Sequence, residues 1–394
     1  MPPNAQEPLY RPVLRFLASK KAKHQPPVLV AGLIILGYFR GERLSRAARA
    51  ALLKYADRKN PPEVRRHALV SYHRLLGDGQ PASDQVAALE KLLCDDDWHN
   101  VAQNALLTFQ RVELPRPRVL KLTGLLHRSP HFSVHIHVFE RLRGQDSREV
   151  ARAIIPFLYD SRFRVRDAAE AALRSIPSAI EDLFGVLMDS EDSEVCQRVT
   201  GILREYPQEV KRRFVETATR RFMGLFDQND TRYQFFFDFV QAIDAEPLRQ
   251  RIYQKARMLK GGRSKDKWIK IGGYLQLLWD HHLITTAGRY LFAVALIRQS
   301  NKDLSPPARR ANLGLRVLRA LIYDDTPGLI GQLSKDPDIG PDEVFYIGFH
   351  FMEEGDEMRP FARALLDHLL RRYPKSRYAA PARQKLELHQ PIEP

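Results

Sequence analysis

The sequence predicts an all-α protein whose helix pairs stack side by side as a right-handed α-solenoid. Three observations carry that expectation. Apolar residues recur at helical spacing, as in Val165, Ala168, Ala169, Ala172 and Leu173. Five consecutive segments share one design: an amphipathic helix, an acidic or polar break, then a second helix opening at a valine. Those valines, Val64, Val101, Val134, Val165 and Val195, are spaced by 37, 33, 31 and 30 residues, the length of one helix pair. One pair cannot bury its apolar face alone, so stacking is a condition of stability.

The pairs follow in order. RAARAALLKYADRKNPP precedes EVRRHALVSYHRLL, and QVAALEKLLCDDDWH precedes NVAQNALLTFQRV. PRVLKLTGLLHRSPHF then leads to SVHIHVFERL, REVARAIIPFLYDSRF to RVRDAAEAALRSI, and SAIEDLFGVLMDSEDS to EVCQRVTGILREY. In the breaks, Asp160-Ser161 and Asp189-Ser190 offer side chains to the free amides of the next helix. Pro156, Pro177 and Pro207 fall near helix boundaries, where a missing amide does least harm. This region resembles the HEAT-repeat family over about residues 44–206, most clearly in LYDSRFRVRDAAEAALRSI. The resemblance implies that a turn Asp and the Arg after the valine brace neighbouring repeats. Asp57 with Arg65 and Asp160 with Arg166 match that pattern; His135 and Ala102 depart from it.

Residues 208–226 and 231–243 read as a sixth, divergent pair carrying the aromatic run RYQFFFDFV. There Phe235, Phe236, Phe239 and Val240 share one face and are expected in the core. Gly261-Gly262, amid Lys260, Arg263, Ser264 and Lys265, reads as an exposed loop and the candidate boundary between halves. Helices are expected at 268–282, 285–300, 306–323, 341–354, 357–373 and 377–388. The stretch 345–386 resembles a tetratricopeptide repeat through Ala362, Pro374 and Tyr373-Pro374-Lys375-Ser376, with Gly348 about two residues too far upstream. The expected organisation is a basic helical cap over 1–43, HEAT-like repeats over 44–245 and a helical C-terminal region over 246–394.

The formal charge is +15 and unevenly spread. Residues 1–74 hold 15 Lys/Arg against 4 Asp/Glu, and residues 246–290 hold 10 against 3. Residues 75–245 hold 22 against 26, and 291–394 hold 15 against 14. Such segments suit an acidic protein surface, anionic lipid or nucleic acid, and equally a solvated face. Arg65, Arg66, Lys260, Arg263, Lys265, Lys267 and Lys270 are the candidate anion- or partner-binding residues. Two cysteines, Cys94 and Cys196, make neither a disulfide framework nor a metal pair, which fits a reducing, cytoplasmic setting. The apolar run Val28–Phe39 is too short to span a bilayer and is expected to be a buried first helix.

No catalytic constellation emerges. Gly261-Gly262-Arg263-Ser264-Lys265 lacks the spacing and preceding strand of a phosphate-binding loop. His131, His135 and His137 cluster, but Phe132 stands where a zinc protease needs Glu, so surface or interhelix positions are expected. Asp95-Asp96-Asp97 and Glu353-Glu354-Gly355-Asp356 read as turn and capping groups. No cofactor or metal is expected. The leading expectation is a non-catalytic scaffold or adaptor for another protein. Nucleic-acid binding through residues 11–74 and 249–270 is the alternative. A more distant one is an alkylpurine DNA glycosylase built on HEAT-like repeats, for which Asp97-Trp98 and Trp279-Asp280 are the Trp–Asp pairs on offer.

Overall fold

A computed structural model of the 394-residue chain describes residues 7–19, 22, 25–39, 42–94, 99–261 and 264–389. The described residues are all-α and form two compact units, Met1–Arg213 and Phe214–Pro394.

In the first unit, α1 (Glu7–Ala18) packs on α2 (Pro26–Leu36). The pairs follow: α3 (Glu42–Tyr55) with α4 (Pro62–Leu76), then α5 (Ser83–Leu92) with α6 (His99–Phe109). The third pair opens with two short pieces, α7 (Arg116–Lys121) and α8 (Thr123–Arg128), before α9 (Phe132–Leu142). In the fourth, α10 (Arg148–Ile154) tightens into a 3-10 turn at Ile155–Tyr159 around Pro156 and leads to α11 (Phe163–Leu173). The fifth joins α12 (Ile180–Asp189) to α13 (Ser193–Glu205), and α14 (Gln208–Arg212) closes the unit. The second helices α4, α6, α9, α11 and α13 pack on one another in sequence order. All five landmark valines are buried.

The period reappears in the polar contacts between pairs. Ser129 Oγ donates to Leu93 O (2.6 Å), Arg141 Nη2 to Val112 O (2.9 Å), Arg198 Nη1 to Glu170 Oε2 (2.8 Å) and Tyr206 Oη to Leu173 O (2.7 Å). These bonds join residues 28 to 36 positions apart, one repeat.

The turns share a second device. The side chains of Ser129, Asp160 and Ser190 accept from the amides of His131, Arg162 and Asp192, two residues on. The residue after the valine then closes the turn from the other side. His135 Nε2 meets Ser129 O (2.7 Å), Arg166 Nη1 donates to Asp160 O (2.8 Å) and Cys196 Sγ to Ser190 O (3.6 Å). Three different residues perform the same bond to the carbonyl six positions earlier. The cap of α13 is Asp192, which accepts from the Glu194 and Val195 amides, rather than the Asp189-Ser190 pair.

Helix α2 is half a core element. Leu29, Gly32, Leu33 and Leu36 are buried, while Val28, Ala31 and Ile35 face outward. No helix among the described residues is long and apolar enough to cross a membrane.

The expected helix at 208–226 is broken at Arg213-Phe214, where the units divide. Its second part, α15 (Val215–Asp227), packs forward on α16 (Tyr233–Gln241) and α17 (Glu246–Leu259). Phe236, Phe237 and Phe239 are buried, with Phe237 rather than Phe235 in the core. Helix α17 gave little sign of itself because only Leu248, Ile252 and Ala256 are buried on an otherwise charged surface. It packs on α18 (Lys265–Asp280), so the Gly261 turn (φ +86°) links two helices of one unit.

Next come α19 (Thr286–Gln299), α20 (Pro306–Ala311) and α21 (Leu313–Lys335), which runs beyond its expected end. It kinks at Asp325 because Pro327 denies the backbone an amide, and Asp325 Oδ1 restarts the helix by accepting from Gly328 N (2.9 Å). The last elements are α22 (Pro341–Glu353), α23 (Arg359–Arg372) and α24 (Ala379–Leu388). Helices α22 and α23 pack on each other. A Cβ on Gly348 would lie 2.7 Å from Leu366 Cδ2, so glycine leaves room for that side chain. Here too polar bonds span about one pair: Thr285 N to Tyr253 Oη and Asn312 Nδ2 to Tyr346 Oη, 32 and 34 residues apart.

Candidate partner-binding surface

The structure separates the candidate cations into distinct environments. Arg65 is a correction: it is 1% exposed and its Nε donates to Ala56 O (3.2 Å), so it closes a turn rather than offering a surface cation. Nor do Asp57 and Arg65 brace neighbouring repeats as a pair. Asp57 Oδ1 accepts from Lys59 N (3.1 Å) inside its own turn. Arg66 is half-buried, with Nη2 donating to His67 Nε2 (3.1 Å). Lys260 is also corrected, being held by Asp336 (3.0 Å) and Asp338 (3.6 Å), both almost wholly buried. Arg263, like Asp95, Asp96, Asp97 and Trp98, lies outside the described residues. Lys265, Lys267 and Lys270 are exposed on α18, Lys265 donating to Asn301 Oδ1 (3.2 Å).

Arg166 does span repeats. Besides the Asp160 carbonyl, it reaches Glu194 on α13 (2.9 Å). The Asp160 carboxylate goes to Arg162 (2.7 Å), whose guanidinium holds its pKa down at about 2.

Between α15 and α17 lies a cleft of about 390 Å³ lined by Arg220, Met223, Arg251, Gln254, Lys255 and Met258. The helix period builds it. Arg251, Gln254, Lys255 and Met258 fall at i, i+3, i+4 and i+7, beside the buried stripe of Leu248, Ile252 and Ala256. Met258 is 75% exposed. Lys255 is tied to Asp227 (3.1 Å), whose carboxylate also accepts from Tyr274 Oη, and these bonds hold that acid's pKa below the usual range. Arg220 is weakly paired with Glu216 at 3.9 Å, and among the described residues Arg251 bonds only to a neutral amide, Gln254 (3.4 Å). The cleft thus combines three cations with two polarizable thioethers.

The histidines that cluster in sequence are buried between helices rather than at the surface. His131 Nδ1 meets His99 Nδ1 at 3.4 Å, and His137 packs edge-on to Phe109. Burial pushes His137 down to about 4, with Arg141 adding to the effect. No group of metal-binding side chains assembles among the described residues. The acidic turn is used in ion pairs: Glu353 with Lys385 and Glu354 with Arg319. The Trp279 ring packs on Phe292 (5.7 Å), and Asp280 accepts from Gln276 (2.6 Å).

No protein-family model matches this chain, and no curated protein matches it. Among solved structures it is similar to a chain of the S. pombe condensin Cnd3–Cnd2 subcomplex, with 17% identity and a TM-score of 0.36 over 97% of this chain and 57% of that one. It thus spans little more than half of that protein's length. An engineered protein matches with 16% identity and a TM-score of 0.22 over 96% of this chain and 98% of its own. Likenesses this distant carry no argument about function.

Proposed function

We propose that this chain is a non-catalytic protein-interaction scaffold, and that the cleft between α15 and α17 receives an acidic, amphipathic segment of a partner protein. The observation supporting this reading is that Met223 and Met258 line one cleft with Arg220, Arg251 and Lys255. Apolar contact supplies affinity there, and the cations select an acidic partner and speed encounter. The stacked, cross-braced pairs supply a rigid frame.

The double variant R251E/M258D tests it, since both side chains are exposed and removable without touching the core. Affinity capture with the wild-type chain should recover a stoichiometric protein that the variant loses. Recovery of the same proteins at the same yield by both would refute the reading. Nucleic acid is the second reading, favoured by the exposed row Lys265, Lys267 and Lys270. It requires binding to a random duplex or single strand at about 50 mM salt that falls steeply as salt rises.

A further inference from the structure

A second cleft, of about 300 Å³, opens where α20 meets α21 and α22. Its walls carry Arg309, Arg310, Arg316, Arg319, His350 and Glu354. Four guanidinium groups therefore converge on a space with a single carboxylate.

The arrangement is costly to the fold. Arg309 is only 6% exposed, and burying a guanidinium disfavours its charged form. It is held in place nonetheless: Nε donates to Leu304 O (2.8 Å), and the guanidinium lies over the Phe349 ring at 5.1 Å. Lys385 lies over the same ring at 4.4 Å. Arg316 sits about one turn into α21, the end of a helix where the backbone dipole disfavours a cation. Glu354 answers only part of this charge, meeting Arg319 Nη1 at 3.2 Å and standing 3.7 Å from His350 Nε2. The side chains of Arg310 and Arg316 have no hydrogen-bond or ion-pair partner among the described residues. His350 is 5% exposed, and its Nδ1 is buried without a partner.

We propose that this cleft is an anion site for a dianionic phosphate group, carried by a small ester or by a phosphorylated side chain. Planar guanidinium forks match phosphate oxygens in pairs, and a dianion balances the surplus charge better than one carboxylate would. Arg309 is the preset floor contact, held by Leu304 O and Phe349. Arg310 and Arg316 are the exposed arms that close on the ligand, and Arg319 is shared with Glu354. His350 stays neutral at pH 7, because burial pushes its pKa down to about 4 despite the nearby Glu354. It therefore adds no positive charge to the cleft.

The test titrates the full chain by calorimetry with inorganic phosphate and with a phosphoserine peptide. Chloride at matched ionic strength and the unphosphorylated peptide are the controls. At least one phosphate probe should bind one-to-one, and R310A/R316A should weaken it about tenfold or more. R310K/R316K should recover only part of the loss, since lysine keeps the charge without the fork. Tighter binding of the peptide than of inorganic phosphate would identify a phosphorylated protein as the source; the reverse order would identify a free phosphate or small ester. The proposal is overturned if neither probe binds up to about 10 mM. It is also overturned if R310A/R316A, or R316Q should the double variant melt early, binds as tightly as wild type.

Discussion

Replacing Glu343 by glutamine should destabilise the second unit by about 3 kcal/mol. Glu343 has no exposed surface, and its Oε1 receives Arg298 Nη1 (2.8 Å) and Lys302 Nζ (3.0 Å). Its Oε2 accepts from Gly340 N (2.9 Å), capping α22. Arg298 also lies over the Trp268 ring at 5.5 Å, so one carboxylate ties α18, α19 and α22 together. Glutamine keeps the shape and the bond to Gly340 but leaves Arg298 without its carboxylate and Lys302 with Asp342 alone (3.2 Å). Removing one partner of a buried pair costs about 3–5 kcal/mol. Arg298 and Lys302 keep 19% and 20% of their side chains exposed and regain some hydration, which sets the lower end of that range. In a unit of this size each kcal/mol moves the melting temperature by about 2–4 °C, so a fall of about 6–12 °C is expected. Urea unfolding followed by tryptophan fluorescence, with an R298A/E343Q double-mutant cycle, measures both the loss and the coupling. A melting temperature within about 1 °C of wild type, or strictly additive single variants, would refute the reasoning.

Two further outcomes follow from the first unit. Burial holds His137 at about 4, below its ordinary 6.5, so between those pH values the unfolded chain binds the extra proton. Stability is full above about 6.5 and is lost as pH falls toward 4; H137Q should flatten that decline, and melting curves at pH 7 and 4.5 would reveal an unchanged slope if this is wrong. Asp192→Ala removes the side chain that accepts from the Glu194 and Val195 amides at the start of α13 and should cost about 1 kcal/mol, read as a lower urea midpoint.

The repeat was legible because its signal is packing. The landmark valines mark positions where a side chain must be apolar and of fixed size, and all five are buried. The turn chemistry was only half legible. His135 and Cys196 occupy the position where the resemblance leads one to expect arginine, yet each bonds the same carbonyl six residues back. The backbone demands a donor there, and several side chains meet that demand. Arg65 misled for the same reason, since a long cation can serve a buried carbonyl as readily as a surface anion. The arginine cleft was invisible to charge counting because residues 291–394 hold 15 cations against 14 acids. Elsewhere in that stretch acids answer other cations, as where Glu343 answers Arg298 and Lys302 and Glu353 answers Lys385. The kink at Asp325 and helix α17 escaped because one breaks helical periodicity and the other buries only three residues.

Site-specific photocrosslinking tests the scaffold reading most directly. A benzophenone side chain placed at Met258, 75% exposed in the cleft, is compared with one at Leu388, 69% exposed on α24. The expected result is a discrete protein adduct from position 258, absent from 388 and lost when Arg251 is changed to glutamate. Equal labelling from both positions, or adducts to nucleic acid alone, would contradict it.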